Sequence, residues 1–212
     1  MRVVVDASDT MVALGESAVW SFELRVWGEC TQAATESDAV NLFAARVGLS
    51  LQEIEVSERI TGPEAVFAED LRPANDAQID RTLTILAGQR RATLALLASA
   101  PGSLLDVEDP TARQPVWMTW RTPRQIIRHI VDTESRAYPR WCGLPQLEPV
   151  DDLEEELVRS ARHIRDVIES MPRTFTTTHR GEAWTPVKLL RRLAWHERVE
   201  SVFLRRRLRA ST

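Results

Sequence analysis

At 212 residues, with 43% hydrophobic and 27% charged side chains, the chain has the balance of a folded globular protein and room for one large domain or two modest ones. Its formal net charge of -4 gives no general attraction to polyanions, which makes nucleic acid an unlikely partner. The opening Met1 to Asp6 is apolar too briefly for a signal-peptide core or a membrane span, so no membrane is expected and the cytoplasm is the expected location.

From Met1 to about Ile60, short runs rich in Val, Trp and Phe alternate with polar turns. Val3 to Val5, Thr10 to Leu14 and Ala18 to Val26 read as strands, the last alternating Trp20, Phe22, Leu24 and Val26 on one face. Glu36 to Val47 sets Ala39, Val40, Phe43, Ala44 and Val47 at helical spacing before Gly48, and Leu51 to Ile60 reads as a closing strand. The order is β-β-β-α-β, a small module over 1–62. Thr61-Gly62-Pro63 then opens a connector over 63–75 that ends in Arg72-Pro73 and marks the best domain boundary.

Everything over 76–212 reads as helical, giving an α+β, two-domain chain. Asn75 or Asp76 can cap a long helix through Ile79, Leu83, Leu86, Arg90, Leu94 and Leu97 that stops at Pro101-Gly102. Thr122-Pro123 and Thr185-Pro186 each place a hydroxyl cap before a proline at the first helical position, where the missing N–H costs nothing. Between them, Asp151 to Met171 opens on an acidic turn and turns Leu153, Leu157, Ile164 and Ile168 inward. Four helices of this kind make a bundle. The connection from about Ala100 to Arg121 is long, and Trp117 and Trp120 within it are placed to lid a core.

Polar residues inside the apolar stripes carry the chemistry. Leu189, Leu193, His196, Glu200 and Phe203 share one stripe, while Lys188, Arg191, Arg192, Arg198 and Arg205 fall mostly elsewhere. His129, beside Ile126, Ile130 and Thr133, falls on or next to the inward face of its own helix. Two imidazoles and a carboxylate with open positions suit a divalent metal ion: Fe(II) by arrangement, with Zn, Ni or Mn also chemically acceptable. The same i, i+4 spacing also lets His196 and Glu200 bond to each other, and a lone inward histidine is usually satisfied within a core. Glu134, five residues beyond His129 and just off its face, either orients a ligand from behind or pairs at the surface. His163 and His179 read as surface residues. Glu154 to Glu156 and Arg205 to Arg207 read as solvated faces whose opposite signs favour mutual pairing. Cys30 and Cys142 lack CxxC spacing and read as two idle thiols.

The stretches from Trp120 to Glu134 and from Trp184 to Arg198 resemble the DinB-like family of four-helix metal-binding bundles, over roughly Asp76 to Leu208. In that family one metal-binding histidine comes from the second helix and two from an HxxxH on the fourth. His129 and His196 match those positions, and Glu200 stands where the second histidine of the HxxxH would be. The resemblance implies a metal-dependent transferase or isomerase acting with a low-molecular-weight thiol, or a scaffold whose metal site is altered or lost. A small-molecule or thiol ligand and a homodimer are the implied partners. The front module, with Trp27-Gly28-Glu29-Cys30 ahead of its helix, looks like a HicB-type antitoxin domain, though no separate DNA-binding segment accompanies it.

Overall fold

The computed structural model describes residues 1–63, 66–108 and 118–210. Trp117 and two residues of the connector, at 64–65, lie outside them. The fold is mixed α and β: a four-stranded sheet, a small hairpin and several helices. No helix among the described residues is long and apolar enough to cross a membrane. Contacts along the backbone group the chain into two compact units, Met1–Thr82 with Pro172–Trp195, and Leu83–Met171 with His196–Thr212.

In the first unit, β1 (Arg2–Ser8) pairs antiparallel with β2 (Ser17–Trp20) and parallel with β4 (Glu55–Gly62), while β3 (Cys30–Ala33) extends the sheet beyond β2 in the order β3-β2-β1-β4. Val3, Val5 and Val19 bury one face under Ala39 and Phe43 of α2 (Glu36–Val47). Thr35 caps that helix by accepting from the Asp38 N–H, and Gly48 ends it at φ 71°. Val4, Ala18 and Trp20 bury the opposite face with Met11, Cys30 and Phe67.

Two of the expected front strands change. Thr10 to Ala13 lies in a short helix, α1 (Asp9–Ala13), capped by Leu14, and Met11 is its buried residue. An acid in the first turn and Gly15 at φ 70° just past the end are helix signals that outweigh so brief an apolar alternation. The run from Ala18 ends as a strand at Trp20, because the Ser21 hydroxyl donates to the Arg2 carbonyl and Leu24–Val26 coils into a 3₁₀ turn. The third strand is Cys30–Ala33 instead, with Cys30 opposite Trp20. Gly28, at φ 76°, makes the turn before it, and a Cβ there would lie 2.7 Å from the Ala194 Cβ and carbonyl oxygen.

Two further residues differ from their sequence-based placement. Lys188 and Arg191, expected mostly outside the inward stripe, are fully buried. Asp70 accepts two hydrogen bonds from Arg191, at 3.2 and 2.7 Å, and the Arg191 guanidinium stacks 4.4 Å from the Trp20 ring. Lys188 Nζ donates to the Ala183 carbonyl at 2.7 Å and pairs with Glu182 at 2.8 Å. Partners of this kind are what make a buried charge tolerable. Glu182 opens β6 (Glu182–Trp184), the return strand of a hairpin with β5 (Thr177–His179). Its two-residue loop, Arg180-Gly181, has positive φ at both positions, the form that matches strand twist.

The second unit holds most of α3 (Asp76–Ser99), α4 (Pro123–Asp132), a π-helical turn (Thr133–Ala137), α5 (Tyr138–Trp141), α6 (Leu153–Ser170) and the later part of α7 (Pro186–Ala210). Its core gathers Ile126, Ile127, Ile130 and Val131 with Leu153, Leu157 and Leu204. The helix starts follow their caps. Asn75 and Gln78 exchange side-chain bonds with each other's N–H, as do Thr122 and Gln125, and Thr185 accepts from the Lys188 N–H. Arg207 and Glu156 correct the reading of the two charged runs: Arg207 is buried, and Glu156 is buried and paired with Arg128 and Arg136 rather than solvated. Alone of the three acids, it falls on the inward side, next to Leu157.

Candidate metal centre

α4 presents His129 and α7 presents His196 and Glu200, one turn apart. The structure brings all three together: one ligand atom from each lies within 4.8 Å of the others. The Nε2 atoms of His129 and His196 are 3.2 Å apart, and Glu200 Oε1 lies 3.7 Å from His129 Nε2. Donors held at about 2.0–2.1 Å in tetrahedral geometry stand about 3.3–3.4 Å from one another, and the 3.2 and 3.7 Å separations lie on either side of that value. His196 and Glu200 are buried, whereas the His129 side chain is 23% exposed, so access to the cluster is from the His129 side.

Each of the three is held from behind. Glu134 lies in the π turn that follows α4, and its side chain lies inside. It is fully buried, with Oε1 3.2 Å from His196 Nδ1. With Glu134 ionised, Nδ1 donates to it and His196 Nε2 keeps its lone pair. The Trp120 ring stacks on His129 at 3.5 Å between centroids, and its indole N–H donates to Glu200 Oε2 at 3.0 Å. Thr133 Oγ1 lies 3.4 Å from His129 Nδ1.

Behind Glu134 stands a buried ion network. Arg90 on α3 donates to Glu134 at 3.1 Å, to both oxygens of Glu197 at 3.1 and 3.3 Å, and to the Leu157 carbonyl at 2.6 Å. Sequence reasoning placed Arg90 in an apolar stripe without giving it a role, yet an arginine amid leucines was itself the signal of a buried acid. Glu197 gave no such signal, since its neighbour His196 accounted for that face.

Burial shapes the charges. It pushes the Glu200 carboxyl up to about 7, against the pull of the Trp120 N–H, and Glu134 up to about 7, against the pull of Arg90. Burial, followed by the neighbouring His196, lowers His129 to about 3 and leaves it a neutral imidazole at physiological pH. The neutral His129 ring and carboxylates costly to ionise alone belong to a donor set whose charge a divalent cation would balance.

The remaining candidates lie elsewhere. His163 is part-buried with Nε2 3.2 Å from the Pro145 carbonyl, and His179 sits at the end of β5. Cys30 and Cys142 are buried, and burial pushes the Cys30 thiol up to about 12, far from a reactive thiolate. No family model, curated protein or solved structure matches the chain.

Proposed function

We propose that the helical unit is a DinB-like four-helix bundle in which His129, His196 and Glu200 hold a divalent ion, and that the chain is a metal-dependent enzyme acting on a small molecule, a thiol transferase or isomerase. The convergence of two imidazole nitrogens and a carboxylate oxygen within 4.8 Å carries this reading. A bound Zn, Ni, Fe or Mn ion would supply Lewis acidity and favour the thiolate form of a thiol held there. Glu134 would fix the tautomer of His196, Trp120 would fix the plane of His129, and the partly exposed His129 side would admit the ligand. Elemental analysis of the full chain purified without chelator tests the metal. Retained ion that falls sharply in both His129→Ala and Glu200→Ala supports the site; content near zero, or unchanged by both substitutions, overturns it.

One observation favours a second reading, a binding or scaffold protein whose metal site is lost. If the Thr133 hydroxyl donates to His129 Nδ1, His129 Nε2–H can donate to His196 Nε2 at 3.2 Å, and Glu200 is already served by Trp120. The cluster then closes on itself, with the HicB-like front module as the recognition element. Nitrogen chemical shifts of the two rings separate the readings: a proton on His129 Nε2 that persists when zinc is added supports the closed cluster.

A further inference from the structure

Outside the metal centre, α3 and α6 border a groove of about 440 Å³, within the size range of small-molecule sites, roughly 300–1,000 Å³. Its wall is apolar: Leu83, Leu86 and Leu94 from α3, Val158 and Ile164 from α6. Every titratable residue lining it is an arginine, in a chain whose formal net charge is -4. Arg90 is committed inward to Glu134, Glu197 and the Leu157 carbonyl and offers the groove only its carbon stem. Arg91 and Arg162 are exposed and have no hydrogen-bond or ion-pair partner among the described residues, and Arg165 has only a half-exposed pair with Glu169 at 3.6 Å. An apolar trough edged by unneutralised guanidinium groups is complementary to one chemistry, a hydrocarbon body that ends in an anion.

We propose that this groove binds an amphipathic carboxylate of the medium-chain fatty acid class, its hydrocarbon part between the α3 leucines and Val158 and Ile164, its carboxylate between Arg91 and Arg162. The site is distinct from the His129–His196–Glu200 cluster and does not depend on it.

Isothermal titration of the full chain with decanoate and with decanol tests the inference, using wild type, Arg91→Ala/Arg162→Ala, Val158→Asp and His129→Ala. Saturable decanoate binding is expected, at least about tenfold tighter than decanol, as expected for a charge-assisted contact. The double arginine variant should lose that preference while still binding decanol, and Val158→Asp should bind neither. His129→Ala should bind decanoate as wild type does, which separates the groove from a carboxylate captured by a metal ion. Because Arg91 and Arg162 are exposed, their replacement leaves the fold intact, and circular dichroism checks Val158→Asp. No saturable binding, equal binding of acid and alcohol, or loss in His129→Ala alone would overturn the proposal. So would a dimer, seen by sedimentation, that Val158→Asp dissociates and decanoate leaves untouched, since the groove would then be covered by a second copy.

Discussion

Each unit buries charge, and the two do so to different ends. In the sheet-bearing unit, Asp70 meets Arg191 in a two-point grip among Trp20, Phe22 and Phe67, and Lys188 is tied to Glu182 and a carbonyl. Charges there face opposite charges, although Arg191 Nη1 is buried without a hydrogen-bond partner among the described residues. In the helical unit, Arg90 satisfies Glu134 and Glu197 in the same manner, but Glu134 turns its other oxygen to His196, and beyond it two imidazole nitrogens and a carboxylate face one another. Burial of charge is thus no sign of function; what distinguishes the helical unit is that like donors converge where opposite charges would be expected.

The sharpest way to break the comparison is Arg90→Met, which strips two buried carboxylates of their cation. We expect a loss of about 3–5 kcal/mol of stability by urea unfolding, with metal content falling as well. Asp70→Asn weakens the other network and should cost about 1.5–3 kcal/mol, since the Arg191 guanidinium keeps its ring contacts, and should leave metal content unchanged. If Asp70→Asn removed metal as Arg90→Met does, the two networks would not be doing different jobs. Glu134→Gln keeps the shape and removes the charge behind His196. A drop of about 10–100-fold in metal affinity, read by competition with a chromophoric chelator, is expected.

The smallest effect is one of pH. Burial lowers Lys188 from 10.5 to about 8, so between those values the unfolded chain binds a proton that the folded chain does not, and stability gains with rising pH across that window. The stability of wild type relative to Lys188→Met should therefore climb by roughly 1–3 kcal/mol from pH 8 to 10.5 and stay flat below pH 7. A difference that stays flat across the window and falls only above pH 10.5 would show that the Glu182 pair outweighs desolvation.

What the sequence made legible was local. The Thr122-Pro123 and Thr185-Pro186 starts fix the phase of α4 and α7, and with the phase fixed, His129, His196 and Glu200 fall on inward stripes that the structure brings to one place. The α2 pattern, with Thr35 before it and Gly48 after, is equally self-contained. What was not legible depends on distant partners. Nothing near Arg191 in sequence announces Asp70, and nothing near Glu156 announces Arg128 and Arg136. The π turn that holds Glu134 breaks the 3.6-residue phase on which a helical projection relies. In the front module the strand assigned to Thr10–Leu14 failed because five residues are too few for alternation to outvote helix-start and helix-stop signals.

The central claim, that the two rings and the acid share one ion, is tested most directly by cobalt titration of the metal-stripped full chain, followed by electronic absorption. The account predicts intense visible d–d bands that saturate at one ion per chain, are displaced by zinc and vanish in both His196→Ala and Glu200→Ala. Absence of such bands, or bands that survive both substitutions, would contradict it.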